Sequence, residues 1–505
     1  MMSDENKGIG KGAFLLLLAL SLSLLIGNVD KMASTFERID ALFSEWDKPN
    51  SPGCALAVVE NGKIIYKKGY GMANLDYDIP IKPNTVFRTG SIGKQFTAAC
   101  ILILEHKGKL SLDDNIRTYL PEMPKYKKPI TIRHLIHHTS GIREYESLQR
   151  MGGELTDQGH HTNEDIMALL ARQKGLDFPP GERFQYSNGG YTLLAVIIQR
   201  VSGKTIGAFA KENIFDPLGM TNTFILENNR VVVKNRATGY VKKGDLFEVN
   251  ETLNESTGDG AVFTTVEDFF CWDQNFYQNK LDCADFTTKM LRVGRLNDGS
   301  DAVMGYPGFK FKYASGLVRL RYRGLNAFGH GGSYVGFRAN YTQYPDQKTS
   351  FILMSNLANF NPTELAYKVA DVLLEDRFTE AKKELPRPPT KKAESEPISI
   401  ALEKLNEYIG NYRNDEIPVI FVLQRKEGNL HFAQPNAPYP QALKPVEEDV
   451  FSYGPLRIKF TRNTGGNIDG FDIISSHLNG MRFIKTDIEE RAKGDGNSEE
   501  EDKGC

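Results

Sequence analysis

Phe87-Arg88-Thr89-Gly90-Ser91-Ile92-Gly93-Lys94 is the stretch that decides this chain. It ends an extended run and opens an apolar helical segment, Phe96 to Leu104. A serine therefore sits at a helix N-terminus with a lysine three residues on, and residues three apart share a helix face. The Lys94 ammonium can then reach the Ser91 hydroxyl. A free serine is a poor nucleophile, and a neighbouring base activates it. The first helical turn also leaves N–H groups unpaired, which suits a developing oxyanion. Ser91 reads equally well as a helix cap, however. Ser-x-x-Lys also arises by chance about once or twice in a chain of this length at average composition. Other parts of the sequence have to decide.

Two later motifs do so. Tyr186-Ser187-Asn188 follows the turn Pro179-Pro180-Gly181, and His330-Gly331-Gly332-Ser333 stands between two strand-like runs. The steps from Ser91 to Tyr186 and from Tyr186 to His330 are about 95 and about 140 residues. Leu135-Ile136-His137-His138-Thr139-Ser140-Gly141, Pro217-Leu218-Gly219-Met220 and Gly258 to Thr265 fall between them. In this order, residues 40 to 375 resemble the serine β-lactamase and penicillin-binding-protein superfamily. The likeness is greatest to the branch of class C β-lactamases, D-alanyl-D-alanine peptidases, D-aminopeptidases and related esterases. Strand-like runs at both ends with helices between them already suggest an α/β (α+β) fold. The resemblance implies its form: an antiparallel sheet flanked by helices, with a helical subdomain.

The resemblance also implies roles. Ser91 would be the nucleophile, and Lys94 would lower its proton affinity or take its proton. Tyr186 would shuttle that proton, its pKa depressed by two nearby cations. Asn188 would hold a substrate amide. His330, where many members carry lysine, would orient Tyr186 and complete the proton network. The N–H groups of Ser91 and Ser333 would form an oxyanion hole. Gly331 and Gly332 would let the strand approach the substrate closely. Gly331 replaces a threonine that helps bind a carboxylate in the Lys-Thr-Gly form. Asp259 either binds a substrate amine or caps the turn between Gly258 and Gly260. The plain alternatives are an exposed helix lysine, a packed tyrosine, a capping asparagine and a histidine packed under a strand. The function implied is a serine hydrolase that cleaves an amide or ester through an acyl-enzyme. Its substrate would be a D-amino-acid peptide, a peptidoglycan fragment or a small ester. The rival is a non-enzymatic penicillin-binding sensor or ligand scaffold.

Composition sets wide bounds. In 505 residues, 40% are hydrophobic and 25% charged, and the net charge of −2 offers no field for nucleic acid. The expected partner is a small-molecule or peptide substrate. Five cysteines are too few for a disulfide framework. Cys54 and Cys100 read as packed thiols, while Cys271 and Cys283 can pair. His134 and His138 lie four apart with His137, His160 and His161 nearby, but the His-Glu-x-x-His arrangement is absent. No metal or cofactor is expected. Lys7 and Lys11 precede an apolar run from Ala13 to Ile26, shorter than the roughly 20 residues a membrane span needs. Residues 1–30 thus read as a cleaved export signal, an uncleaved anchor or a buried helix. The first two imply a periplasmic or extracellular protein. A catalytic domain at 35–378 is expected, then a charged, proline-rich linker at 379–399. Residues 400–486 alternate short β-rich runs with turns, the pattern of a small antiparallel barrel. Tyr408-Ile409-Gly410-Asn411-Tyr412 resembles the start of lipocalin-like barrels appended to some superfamily members. The polar tail at 487–505 reads as disordered. Leu110 to Asp114 is expected to start a short helix.

Overall fold

The computed structural model describes residues 32–486 apart from 154–158, 307–308, 383–397, 399, 434–439, 455 and 476. The expected leader at 1–30, most of the linker and the tail at 487–505 lie outside the described residues.

Asn61 and Gly62 both take the left-handed backbone, with φ of 51° and 77°. A two-residue turn of this kind matches the twist of the strands it joins. It closes a hairpin of β1 (Cys54–Glu60) and β2 (Lys63–Tyr70). Six later strands complete the sheet: β3 (Val303–Tyr306), β4 (Phe309–Tyr313), β5 (Val318–Tyr322), β6 (Leu325–Tyr334), β7 (Phe337–Tyr344) and β8 (Thr349–Ser355). The order is β3-β4-β5-β6-β7-β8-β1-β2, and every neighbouring pair is antiparallel.

β1 is buried on both faces, so its side chains feed two cores in alternation. Leu56 and Val58 pack with Ile39 and Phe43 of a helix at 32–43 (α1) and with Leu365 and Val369 of a C-terminal helix. Ala55, Ala57 and Val59 face the larger core. That core contains α2 (Lys94–His106), α3 (Tyr145–Gly152), α4 (Asn188–Ser202) and α5 (Val266–Gln278). The C-terminal helix is α6 (Pro362–Leu373). Every residue of α2 from Lys94 to Leu104 is buried. Beneath it, Trp272 is fully buried, its ring centroid 4.6 Å from that of Phe96. The Trp272 Nε1 donates to Gln95 Oε1 at 2.9 Å. Gly203, at φ 70°, ends α4 in the left-handed conformation that glycine adopts readily.

Two local expectations fail for physical reasons, and one open question is answered. Leu110 to Asp114 is a turn, because Asp114 accepts from the Ser111 N–H and Ser111 Oγ from the Asp113 N–H. Such side-chain bonds compete with a helix ladder. The His330 motif lies inside β6, not between strands; its glycines lower strand propensity but pair in register with Asn340 and Ala339. Cys271 and Cys283 are free thiols, like Cys54 and Cys100.

The C-terminal region is a second sheet of nine strands. They are β9 (Gly410–Asn414), β10 (Val419–Lys426), β11 (Asn429–Ala433), β12 (Gln441–Ala442), β13 (Lys444–Glu447), β14 (Val450–Tyr453), β15 (Leu456–Arg462), β16 (Ile468–Ile474) and β17 (Met481–Thr486). The order is β12-β11-β10-β9-β17-β16-β15-β14-β13. Its two end strands are separated in sequence by Leu443 alone, so the sheet rolls into a nearly closed barrel. Along β10 Val419, Phe421 and Leu423 are buried and Ile420 and Val422 exposed. Phe421, Phe432, Phe471 and Phe483 stack inside it. Side chains fill a barrel of this size. Among the described residues no single helix is long and apolar enough to cross a membrane.

Candidate active site

The short strand Phe87–Arg88 pairs with Val262–Thr264 and delivers the chain to a 3-10 turn, Gly90–Gly93, that runs straight into α2. Ser91 lies in that turn, partly exposed, and makes no cap bond. β6 presses on the same turn. A Cβ on Gly332 would stand 1.8 Å from the Thr89 carbonyl oxygen. One on Gly90, at φ 54°, would stand 2.8 Å from the Ser333 backbone nitrogen. Glycine at both positions is what lets the Ser333 backbone lie against the Ser91 turn.

Lys94 is fully buried. Its Nζ contacts three oxygens: Asp259 O at 2.6 Å, Asn188 Oδ1 at 2.8 Å and Ser91 Oγ at 3.3 Å. Asn188 is free for this because Ser187 caps α4, accepting from the Gly190 N–H at 3.2 Å. The Asn188 backbone N–H donates to Glu144 Oε2 at 2.7 Å, and its Nδ2 to Glu146 Oε1 at 3.4 Å. Asp259 lines the cleft, and its carboxylate accepts from the Tyr145 hydroxyl at 3.1 Å. Burial holds that carboxyl above its ordinary range, against the opposing pull of Lys94.

Tyr186 and His330 correct the expectation of a depressed phenol. The Tyr186 hydroxyl is buried beside Ser91 and Lys94 without a well-formed hydrogen bond. Burial raises its pKa more than the nearby Lys94 lowers it. The second cation is missing, because burial pushes His330 down to about 4. A neutral His330 has its Nε2 3.4 Å from the Tyr313 hydroxyl and its ring centroid 6.3 Å from that of Tyr186. A side chain at Gly331 would meet nothing nearer than Thr363 Oγ1 of α6, at 3.8 Å. Gly331 thus turns away from Ser91 while its neighbour Gly332 turns toward it.

The histidines found in sequence scatter to separate partners. His134 Nδ1 accepts from the Thr131 N–H, His137 Nδ1 bonds the Arg133 carbonyl, and His160 pairs with Glu255. His138 has a place in the site. Its ring centroid lies 4.2 Å from that of Tyr186, and its Nδ1 accepts from the Ser187 N–H at 3.1 Å. Burial keeps it neutral, far below the ordinary histidine range.

A cleft opens over Ser91, lined by Arg88, Glu146, Asn188, Asp259 and Ser333. Arg88, Glu144, Tyr145 and Glu146 escaped the reading of the sequence. Arg88 is 4% exposed and stacks on Tyr334 at 4.2 Å. Glu144 is buried and pushed up to about 8, with Glu146 and Asp259 adding to the desolvation. The available signal was position: these acids follow directly on the Leu135–Gly141 motif.

A cleft serine touching a buried lysine at the start of a core helix is the arrangement of a serine hydrolase. The chain belongs to the β-lactamase family, whose model matches residues 37–374. It is 31% identical over 343 residues to a penicillin-binding protein of Bacillus subtilis strain 168, covering 63% of this chain and 71% of that protein. It is 29% identical over 327 residues to a D-aminopeptidase of Brucella anthropi, covering 64% of this chain and 59% of that one. The chain thus spans less than two thirds of the D-aminopeptidase. The fold is shared with an octameric penicillin-binding protein homologue from Pyrococcus abyssi, at TM-score 0.60 and 24% identity over 90% of this chain and all of that one. It is shared too with a D-amino acid amidase from Ochrobactrum anthropi, at TM-score 0.55 and 21% identity over 68% and 98%.

Proposed function

We propose that this β-lactamase-family hydrolase cleaves amides of D-amino acids, as peptides or peptidoglycan fragments, or small esters, through an acyl-enzyme on Ser91. One observation carries the reading: the fully buried Lys94 Nζ holds two obligate acceptors at 2.6 and 2.8 Å and meets the Ser91 hydroxyl third, at 3.3 Å. In the proposed reaction it donates to Asp259 O and Asn188 Oδ1 and accepts from the Ser91 O–H. Ser91 Oγ then bonds to the substrate carbonyl carbon and its proton passes to Lys94. The raised pKa keeps Tyr186 protonated, so it serves as the acid: it protonates the leaving nitrogen or oxygen as the C–N or C–O bond breaks, and Lys94 reprotonates it. Water repeats the sequence in reverse and frees the acid. The N–H groups of Ser91 and Ser333 take the oxyanion. The names of the relatives support the D-amino-acid class.

Labelling with a fluorescent penicillin or a fluorophosphonate, followed by peptide mapping, tests this. The label should fall on Ser91 and vanish in Ser91→Ala. A label on another serine refutes the assignment. A stoichiometric adduct that never turns over, with no hydrolysis of D-amino-acid amides, would make the protein a sensor instead.

A further inference from the structure

The barrel meets the catalytic unit through charge buried on both sides. Arg143, immediately before Glu144, donates from Nη1 to Glu416 Oε2 of the barrel at 2.6 Å, and the two side chains are 2% and 7% exposed. The same carboxylate oxygen accepts from the Lys174 N–H at 2.6 Å. Arg143 Nη2 donates to the Asn479 carbonyl at 3.1 Å, also in the barrel. Gln173 completes the cluster, accepting from Arg143 at 3.1 Å and donating to the Glu416 carbonyl at 3.1 Å. Glu416 is itself fixed: Asn414 Oδ1 accepts from the N–H groups of Glu416 and Ile417 at 2.6 and 3.0 Å. A second tie runs from the Asn479 N–H to Asp177 at 2.8 Å, and Asp177 in turn accepts from Gln185, next to Tyr186, at 2.6 Å.

From Arg143 the contacts lead into the site. The next residue, Glu144, accepts from the Asn188 N–H at 2.7 Å, and Asn188 Oδ1 accepts from Lys94 at 2.8 Å. Tyr145 donates to Asp259, whose carbonyl is another acceptor of Lys94. We infer that Glu416 is a positioning residue for catalysis: by holding Arg143, the barrel sets the Glu144–Glu146 segment, which fixes Asn188 and Asp259 and so aims Lys94 at Ser91. The barrel reaches the chemistry although none of its described residues lines the cleft. Removing one partner of such a pair leaves the other charge buried and unpaired, so the segment has to move to rehydrate Arg143.

This builds on the Ser91 reading, and the test separates the two. It uses the full chain in three forms: wild type, Glu416→Ala and Glu416→Gln. Glu416→Gln keeps the size and an oxygen for the Lys174 N–H, and is the milder variant should Glu416→Ala not fold. Hydrogen exchange by mass spectrometry needs no reaction at Ser91. In Glu416→Ala, peptides covering 144–152 and 186–190 should exchange faster, while 450–474, across the barrel, stays protected. Glu416→Gln should fall between wild type and Glu416→Ala. Acylation by a fluorescent penicillin should show a maximal rate lower by ~10- to 100-fold, the range that a displacement of about 1 Å produces. The half-saturating penicillin concentration should stay within about twofold. Unchanged exchange at 186–190 in a folded variant overturns the inference whatever Ser91 does. So does an unchanged acylation rate when wild type is labelled. Failure of wild type to label, with exchange altered as described, sinks the Ser91 reading and leaves the coupling standing.

Discussion

Gly331 and Gly332 are neighbours in one strand, and alanine should be tolerated at the first and damaging at the second. A Cβ at Gly332 falls 1.8 Å from the Thr89 carbonyl oxygen, whereas real Cβ atoms keep at least 3.0 Å. The obstacle is backbone, so either β6 or the Ser91 turn must move by about 1.2 Å. A misplacement of about 1 Å can cost ~10²-fold in rate, and forced overpacking costs about 1–3 kcal/mol of stability. Gly332→Ala should therefore lower the turnover number or acylation rate by roughly 100-fold and lower the melting temperature. Gly331→Ala places its methyl 3.8 Å from the nearest atom, on the α6 side. It should leave both quantities within about twofold or a degree or two of wild type. Penicillin acylation kinetics and thermal melting on the two variants decide the matter. Equal damage at both positions, or a Gly332→Ala enzyme within threefold of wild type, would refute the claim that this glycine seats the strand against the nucleophile turn.

Lys94→Ala and Tyr186→Phe should each cut the rate by ~10²–10⁴-fold, with Tyr186→Phe melting close to wild type because its hydroxyl makes no well-formed bond. His330 is pushed down to about 4, so its part of the acid limb should lie near pH 4, not near 6.5, and disappear in His330→Lys; pH–rate profiles that superimpose would leave it without a role. A histidine lowered on folding binds fewer protons folded than unfolded, so its contribution to stability falls as pH drops from 6.5 toward 4. His330→Gln should flatten that slope in melting curves. Glu144 runs the other way: held at about 8, it takes up a proton on folding between pH 4.5 and 8, and stability falls as pH rises through that window. Glu144→Gln, an isostere of the protonated acid, should gain melting temperature relative to wild type between pH 5 and 9.

The serine–lysine pair was legible because the chemistry needs both groups on one helical turn, which fixes their spacing in sequence. The hairpin at Asn61-Gly62 and the stop at Gly203 were legible because each needs a backbone conformation that few residues adopt. The barrel strands were legible as short β-rich runs between turns, although Val419 to Leu423 of β10 is apolar throughout and does not tell which of its side chains face inward. Arg143, Glu144 and Glu146 were not, since their partners are Glu416 and Asn188 and no periodicity links those positions. The sign of the Tyr186 shift was hidden for another reason: a list of nearby cations says nothing of desolvation, which here outweighs Lys94 and also removes His330 as a cation. His138 was visible as part of a motif, but its stacking on Tyr186 depends on a turn at residues 179–185 folding back.

Trp272 has a spectroscopic consequence. The chain holds two tryptophans, and the other, Trp46, is partly exposed and packs with the second core, its ring against Phe360. Trp46→Phe would leave a single indole, sealed from water and tied to Gln95, the residue next to Lys94. Its emission should be blue-shifted and resistant to iodide quenching. Any event that tilts the first turn of α2, such as acylation at Ser91 or loss of the lysine, should then register as a fluorescence change with no chromogenic substrate in the cuvette.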